Sequence, residues 1–260
     1  MIRRALVLAL LAVPAPATAA PEPQAAPPAA GPAAPGSRNS YANPSAVIAA
    51  ELAFAQDAQV RGQWTAFAAA AAPDAVMFTP KMVWAQRWLK GRPNPAVAVK
   101  WQPQEVWSSC DGSLMVSHGA WQKAGPGTPA IGYYTMIWQR QPDGRYKWIL
   151  DHGDTLAEPV AVPEMLTAHV ADCPARPDRT DGLSKGQMHG TRQNKAKPVK
   201  LADLPPLDPH YRAGAATDGS LKWQVTIAVD GGRKLAVSWM TGGVENDALN
   251  DEVGADMSAQ

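Results

Sequence analysis

The sequence predicts an α+β fold: short helices first, then an antiparallel sheet, then a smaller C-terminal β unit. Three observations carry this. Apolar residues recur at helical spacing over residues 44–90. Two Asp-Gly pairs divide residues 98–154 into four extended runs. A Pro-rich stretch over 174–210 then separates these runs from a second set of alternating residues over 211–242.

The first helix opens at Asn43-Pro44-Ser45, where Asn43 suits a cap and Pro44 the first turn. Val47, Ile48, Leu52, Phe54 and Ala55 follow at helical spacing, and Gly62 ends the run. A second helix is expected over 63–72, with Trp64, Phe67, Ala68 and Ala71 on one face. Pro73-Asp74 stops it, and 75–79 read as a short strand closed by Pro80. Residues 82–90 read as a third helix, with Trp84 and Trp88 four apart on one face.

The extended runs are 99–109, 113–122, 130–141 and 145–152. Asp111-Gly112 and Asp143-Gly144 join the outer pairs. Asp-Gly between extended runs is a hairpin signal, because glycine supplies the positive φ a tight turn needs. The result is a four-strand meander. On its third strand Tyr133, Thr135 and Ile137 alternate with Tyr134, Met136 and Trp138, so neither face is polar. A sheet with one wet face would alternate strictly. Both faces are therefore expected to be covered. The N-terminal helices cover one; a partner subunit, as a homodimer, or the chain's own C-terminal segment covers the other.

Residues 163–172 read as a helix opened by Pro163. The stretch 174–210 reads as a Pro-rich basic linker. In 211–242, Leu221, Trp223, Val225, Ile227 and Val229 alternate with Lys222, Gln224, Thr226, Ala228 and Asp230, and Asp230-Gly231-Gly232 turns the chain into a β hairpin. Two or three strands are barely stable alone, so this unit should dock on the main sheet. Residues 243–260 are acidic and read as a disordered tail.

The N-terminus reads as an address. Arg3 and Arg4 precede a nine-residue apolar run, and Ala17-Thr18-Ala19 forms an A-x-A cleavage signature. Residues 1–19 are thus expected to be a secretory signal peptide, followed by a Pro/Ala-rich linker over 20–44. The apolar run is far short of the roughly 20 residues a membrane span needs. Composition suggests a high-GC bacterium, hence the periplasm. The formal charge of +1 argues against a nucleic-acid partner. Cys110 and Cys173 are the only cysteines. In an oxidising compartment an even pair reads as one disulfide, two buried thiols being the alternative.

Helix, helix, strand, helix and a long meander is the order of the superfamily of nuclear transport factor two, ketosteroid isomerase and SnoaL-like polyketide cyclases. Residues 45–79 resemble its helical opening, ending in "DAVMFT". Residues 132–151 (GYYTMIWQRQPDGRYKWILD) resemble its closing hairpin. Within the superfamily the chain is most similar to secreted bacterial domains of unknown function. The resemblance implies a cone-shaped curved sheet packed on the helices, within residues 45–173, with a pocket in the cone. It implies either small-molecule or protein binding, or cofactor-free isomerase, dehydratase or cyclase chemistry. No carboxylate spacing around Tyr133 and Tyr134 reproduces the isomerases' Tyr-plus-two-carboxylate set.

Ten Trp against three Phe make an indole-lined pocket the leading site. Its expected lining is Trp88, Trp101, Trp121, Tyr133, Trp138 and Trp148, and its expected occupant a small apolar or aromatic ligand. The acid/base candidates are His118, Asp151 and Asp57, weighed with Glu51, Glu105, His152 and Asp154. Alternation turns Asp151 away from His152 and Asp154. A His152–Asp154 pair at i, i+2 can share a face. The five histidines are scattered, no phosphate loop or G-x-S-x-G is present, and neither a metal nor a cofactor is expected. Three functions follow: a small-molecule binder, an acid–base enzyme, or an interaction module using the open sheet face.

Overall fold

A computed structural model describes residues 42–161, 163–174 and 200–255. The signal peptide at 1–19 and most of the two expected linkers lie outside these residues. Helix α1 spans Pro44–Arg61 and buries Val47, Glu51, Phe54 and Ala58, one residue per turn. Asn43 occupies the cap position without a side-chain hydrogen bond to the helix. Leu52, expected on the apolar face, is 47% exposed. Gly62, at φ 98°, breaks the helix and lets α2 (Gln63–Ala70) start at once.

Strand β1 (Ala71–Phe78) follows without a loop. The expected third helix is divided. Met82–Trp84 form β2, which pairs with β1, and only Ala85–Leu89 are helical, as α3. Ladder hydrogen bonds from β1 outweigh helical propensity over these three residues. The meander is β3 (Lys100–Ser108), β4 (Leu114–Lys123), β5 (Ala130–Arg140) and β6 (Tyr146–Leu156). Gly112 and Gly144 sit in its turns at φ 65° and 85°.

The expected helix over 163–172 is not formed. Its residues are loop and a strand, β7 (Thr167–Val170), running parallel to β3. The cause is tertiary. Cys173 is bonded to Cys110 at the β3–β4 turn, with a Cα separation of 5.1 Å. That bond holds the segment against the open β3 edge, and Ala171 N–H donates to Ser108 O at 2.8 Å. The sheet order is β2-β1-β6-β5-β4-β3-β7. Because β1 pairs parallel to β6 and β7 parallel to β3, the sheet is mixed, not wholly antiparallel as expected.

The C-terminal unit exceeds a hairpin. Strands β8 (Tyr211–Ala215), β9 (Leu221–Ile227), β10 (Arg233–Thr241) and β11 (Val244–Val253) form an antiparallel sheet in the order β11-β10-β9-β8. Strand β11 lies in the stretch expected to be a disordered tail. Gly242 and Gly243, at φ 63° and 77°, form a two-residue hairpin between Thr241 and Val244. Its outward acids meet lysines: Lys222 Nζ donates to Glu245 at 2.6 Å and Lys234 Nζ to Glu252 at 2.8 Å. Net acidity read without these partners suggests disorder; strand alternation places Asp251 and Val253 inward instead.

This sheet packs its apolar face, with Leu221, Trp223, Val225, Leu235 and Val237, on the outer face of the main sheet in one continuous core. Backbone contacts tie the two. Arg212 donates to Asp74 O at 2.9 Å, Arg233 to Gly153 O at 2.7 Å, and Cys110 N–H to Ser220 Oγ at 2.9 Å. Of the two covers expected for that face, the C-terminal segment is the one present. A homodimer or an interaction module using the same face would first have to displace it. No helix among the described residues is long and apolar enough to cross a membrane.

Candidate functional site

A cavity of about 340 Å³ lies between the helices and the sheet. Phe67 of α2, Phe78 of β1, Trp101 of β3, Trp121 of β4 and Tyr133, Tyr134 and Met136 of β5 wall it. Its polar groups are Gln63, Lys123, Asp151, Asp154, Thr155 and Arg233, and the ring of His152, which otherwise faces the second sheet, also reaches its lining. Arg233 comes from β10, so the C-terminal sheet contributes to the site.

Asp151 is the chemically distinctive group. Strand alternation turns it to the helix side, opposite Met136. Among the described residues nothing hydrogen-bonds its carboxyl. Burial, then repulsion from Glu51, pushes its pKa up to about 7, with Arg233 opposing.

Glu51 is fully buried and accepts three hydrogen bonds: Trp101 Nε1 at 2.6 Å, Ser117 Oγ at 2.6 Å and Trp138 Nε1 at 3.0 Å. Burial raises its pKa and these donors oppose. The Trp101 wall of the cavity is therefore anchored by a carboxyl behind it. Tyr134 faces the same cavity with a buried hydroxyl that has no partner among the described residues. Burial, then the charges of Glu51 and Asp151, lift that phenol well above its usual range. Tyr134 of β5 and Asp151 of β6 thus line one cavity, with the Glu51 carboxyl of α1 buried behind its Trp101 wall.

The opposite sheet face holds a second polar group of residues. His118, Thr135 and His152 are cross-strand neighbours on β4, β5 and β6. Asp251 of β11 reaches them. Thr135 Oγ donates to the Asp251 carboxylate and is bonded to His118 Nδ1 at 2.9 Å. A hydroxyl has one proton to give, so here it accepts from His118, which carries its proton on Nδ1. Nδ1 of each histidine lies 3.9 Å from Asp251 Oδ2. Neither His152 nitrogen has a hydrogen-bond partner among the described residues. Burial, then repulsion from Arg233 and His118, drives the His152 pKa down to about 3. Burial also lowers His118 and raises Asp251. The contact between His152 and Asp251 is therefore one of a neutral imidazole with a carboxyl, not an ion pair.

Of the expected lining, Trp101, Trp121 and Tyr133 wall the cavity. Trp138 and Trp148 are 1% and 0% exposed and pack in the core. Trp138 shares its face with Tyr134 and Met136, but lies farther along β5, where Phe54 closes over it at 6.2 Å. Trp88 stands apart, against Trp64 at 5.1 Å and under Arg92. Among the acid/base candidates, Asp151 lines the cavity. His118 faces the second sheet. Asp57 lies at the surface, where its hydrogen bond to Arg61 holds its pKa low. No bond joins His152 to Asp154, whose carboxylate instead accepts the Thr155 N–H at 2.8 Å.

Arg233 and Asp251 were invisible as site residues in sequence, because their partners Gly153, Phe78 and Thr135 lie at least 80 positions away. Tyr134 was visible, but its carboxyl neighbours come from other elements, so no local spacing marks them.

No family model matches the chain, and no curated protein is similar to it. Several solved structures are similar to part of it, among them two that match over 98% of their own length. One is an NTF-2-like protein of unknown function from Shewanella oneidensis, with TM-score 0.36 and 17% identity over 43% of this chain and 98% of its own. The other is a candidate ketosteroid isomerase from Parabacteroides distasonis, with TM-score 0.37 and 15% identity over 46% of this chain and 98% of its own. The chain's own architecture is α+β: two helices, a strand, a further helix and a curved meander packed on them, with an added C-terminal sheet.

Proposed function

We propose that the chain is an exported protein that binds a small, planar, largely apolar molecule in the aromatic cavity. One oxygen of that ligand sits between the Asp151 carboxyl and the Tyr134 hydroxyl. One observation carries the reading: the Tyr134 hydroxyl, buried with no partner among the described residues, faces an aromatic cavity that the Asp151 carboxyl and His152 also line. A buried donor left unpaired costs about 1–3 kcal/mol, which a ligand oxygen recovers. Export is supported by the signal-like N-terminus, and the disulfide suits an oxidising compartment.

Titration with 2-naphthol tests this. It is expected to quench Trp emission saturably. Tyr134→Phe should weaken binding about tenfold through the lost hydrogen bond, and Trp121→Ala should weaken it through lost stacking. An unchanged spectrum across a panel of hydroxyarenes ends the proposal.

A second reading, a cofactor-free isomerase, dehydratase or cyclase, is favoured by the Asp151 pKa of about 7. A carboxyl half-ionised at neutral pH can both take and return a proton. The expected signature is enzyme-dependent exchange of a ketone's α-hydrogen for deuterium, lost in Asp151→Asn. Exchange that persists in that variant would sink the assignment.

A further inference from the structure

A second hollow, of about 900 Å³, lies where the two sheets diverge. It shares Phe78, Asp154, Thr155 and Arg233 with the aromatic cavity. The pairing register shows how the two spaces meet. On the main sheet Met82 is the direct neighbour of Phe78. On the second sheet Arg233 lies between Ile227 and Val253. Met82, Ile227 and Val253 wall the second hollow and are absent from the first. Each row thus runs from a shared residue into an apolar stretch of a wall that elsewhere carries Lys81, His210 and Asp230. Where the rows meet, the Arg233 guanidinium lies 4.7 Å over the Phe78 ring and is tethered by its hydrogen bond to Gly153 O.

We infer that the cavity and the hollow between the sheets form one elongated binding site, with Phe78 and Arg233 at its waist, and that the ligand is an arene carrying an oxygen at one end and an alkyl arm at the other. This rests on the cavity reading above. The ring occupies the aromatic cavity with its oxygen toward Asp151. The arm passes the waist along the arginine's aliphatic stem and lies against Met82 and Ile227. On this view the added C-terminal sheet selects for ligand length.

The test uses phenol and 4-alkylphenols from ethyl to octyl, titrated calorimetrically into the whole protein with its disulfide intact. Affinity is expected to rise about two- to fourfold per methylene over the first several carbons, as an arm enters an apolar groove. In Met82→Gln and in Ile227→Asn, the ratio of octyl to ethyl affinity should fall toward one. The substitutions lie on different sheets, so misfolding of one leaves the other informative. Short phenols that bind with no gain from length overturn this inference while leaving the cavity reading intact. A gain that persists in both folded variants also overturns it, since the arm then lies elsewhere. If neither phenol, the alkylphenols nor 2-naphthol bind, the cavity reading falls and this one with it.

Discussion

Replacing His152 with Leu tests how the second sheet is seated on the first. His152 faces Asp251 of β11, Arg233 of β10, His118 across Thr135 and the Phe78 ring at 5.7 Å. Its pKa is about 3 in the fold, against about 6.5 in the unfolded chain. Between these values the unfolded chain binds the extra proton, so stability falls as pH drops below about 6.5. From pH 7 to pH 5 the loss from this group is about 2 kcal/mol. Asp151 acts in the opposite sense. Its folded pKa of about 7 lies above the unfolded value, so the folded chain holds the extra proton. Acidification over the same interval returns about 2 kcal/mol. The two contributions oppose each other, and Glu51, Asp251 and His118, whose pKa values are also shifted, add their own pH dependence to the parent and the variant alike. The difference between proteins isolates the histidine. In urea unfolding, His152→Leu should gain about 2 kcal/mol relative to the parent between pH 7 and pH 5. A difference that stays constant with pH would mean the imidazole is solvated or charged in the fold, and the derivation would be wrong.

Glu51→Ala leaves a void beside α1 and the Trp101 N–H without its acceptor, while Trp138 keeps Ser117 Oγ at 3.0 Å, so it should cost about 3 kcal/mol in urea unfolding. Glu51→Gln, which keeps one acceptor oxygen, should cost less; equal costs would argue against the network. For the disulfide, thiol labelling of the unreduced, denatured protein should find no reactive cysteine, and reduction should remove up to about 4 kcal/mol. Two labelled thiols would overturn the pairing.

Much of the fold was legible because its signals are local. The Asp-Gly turns at 111–112 and 143–144 sit where the chain reverses, and their glycines have the positive φ such turns need. The alternation holds through β9, with Leu221, Trp223 and Val225 buried and Lys222, Gln224 and Thr226 exposed, but it ends at Ile227, and Val229, expected on the apolar face, lies exposed beyond the strand. Errors arose where a neighbour distant in sequence decides the state. Residues 163–172 suit a helix until the Cys110–Cys173 bond holds them on the β3 edge. The acidic stretch after Gly243 looks unfoldable until Lys222 and Lys234 stand across from it. Met82–Trp84 carry helical spacing but complete a ladder with β1.

The same division holds within the site. Alternation on β6 turned Asp151 away from His152, and tryptophan abundance indicated an aromatic cavity. Which indoles face the void depends on where α1 and α2 close down on the strands, so Trp101 and Trp121 line it while Trp138 and Trp148 fill the core. Amino-acid order determined the helices, turns, strand faces and cysteine pair, because those follow from backbone sterics and residue periodicity within a few positions. Only the tertiary structure decided that the charges of Glu51 and Asp151 act on Tyr134, and that Arg233 and Asp251 reach the first sheet from the second. Burial and charge proximity depend on distances in space, and no local spacing along the chain records them.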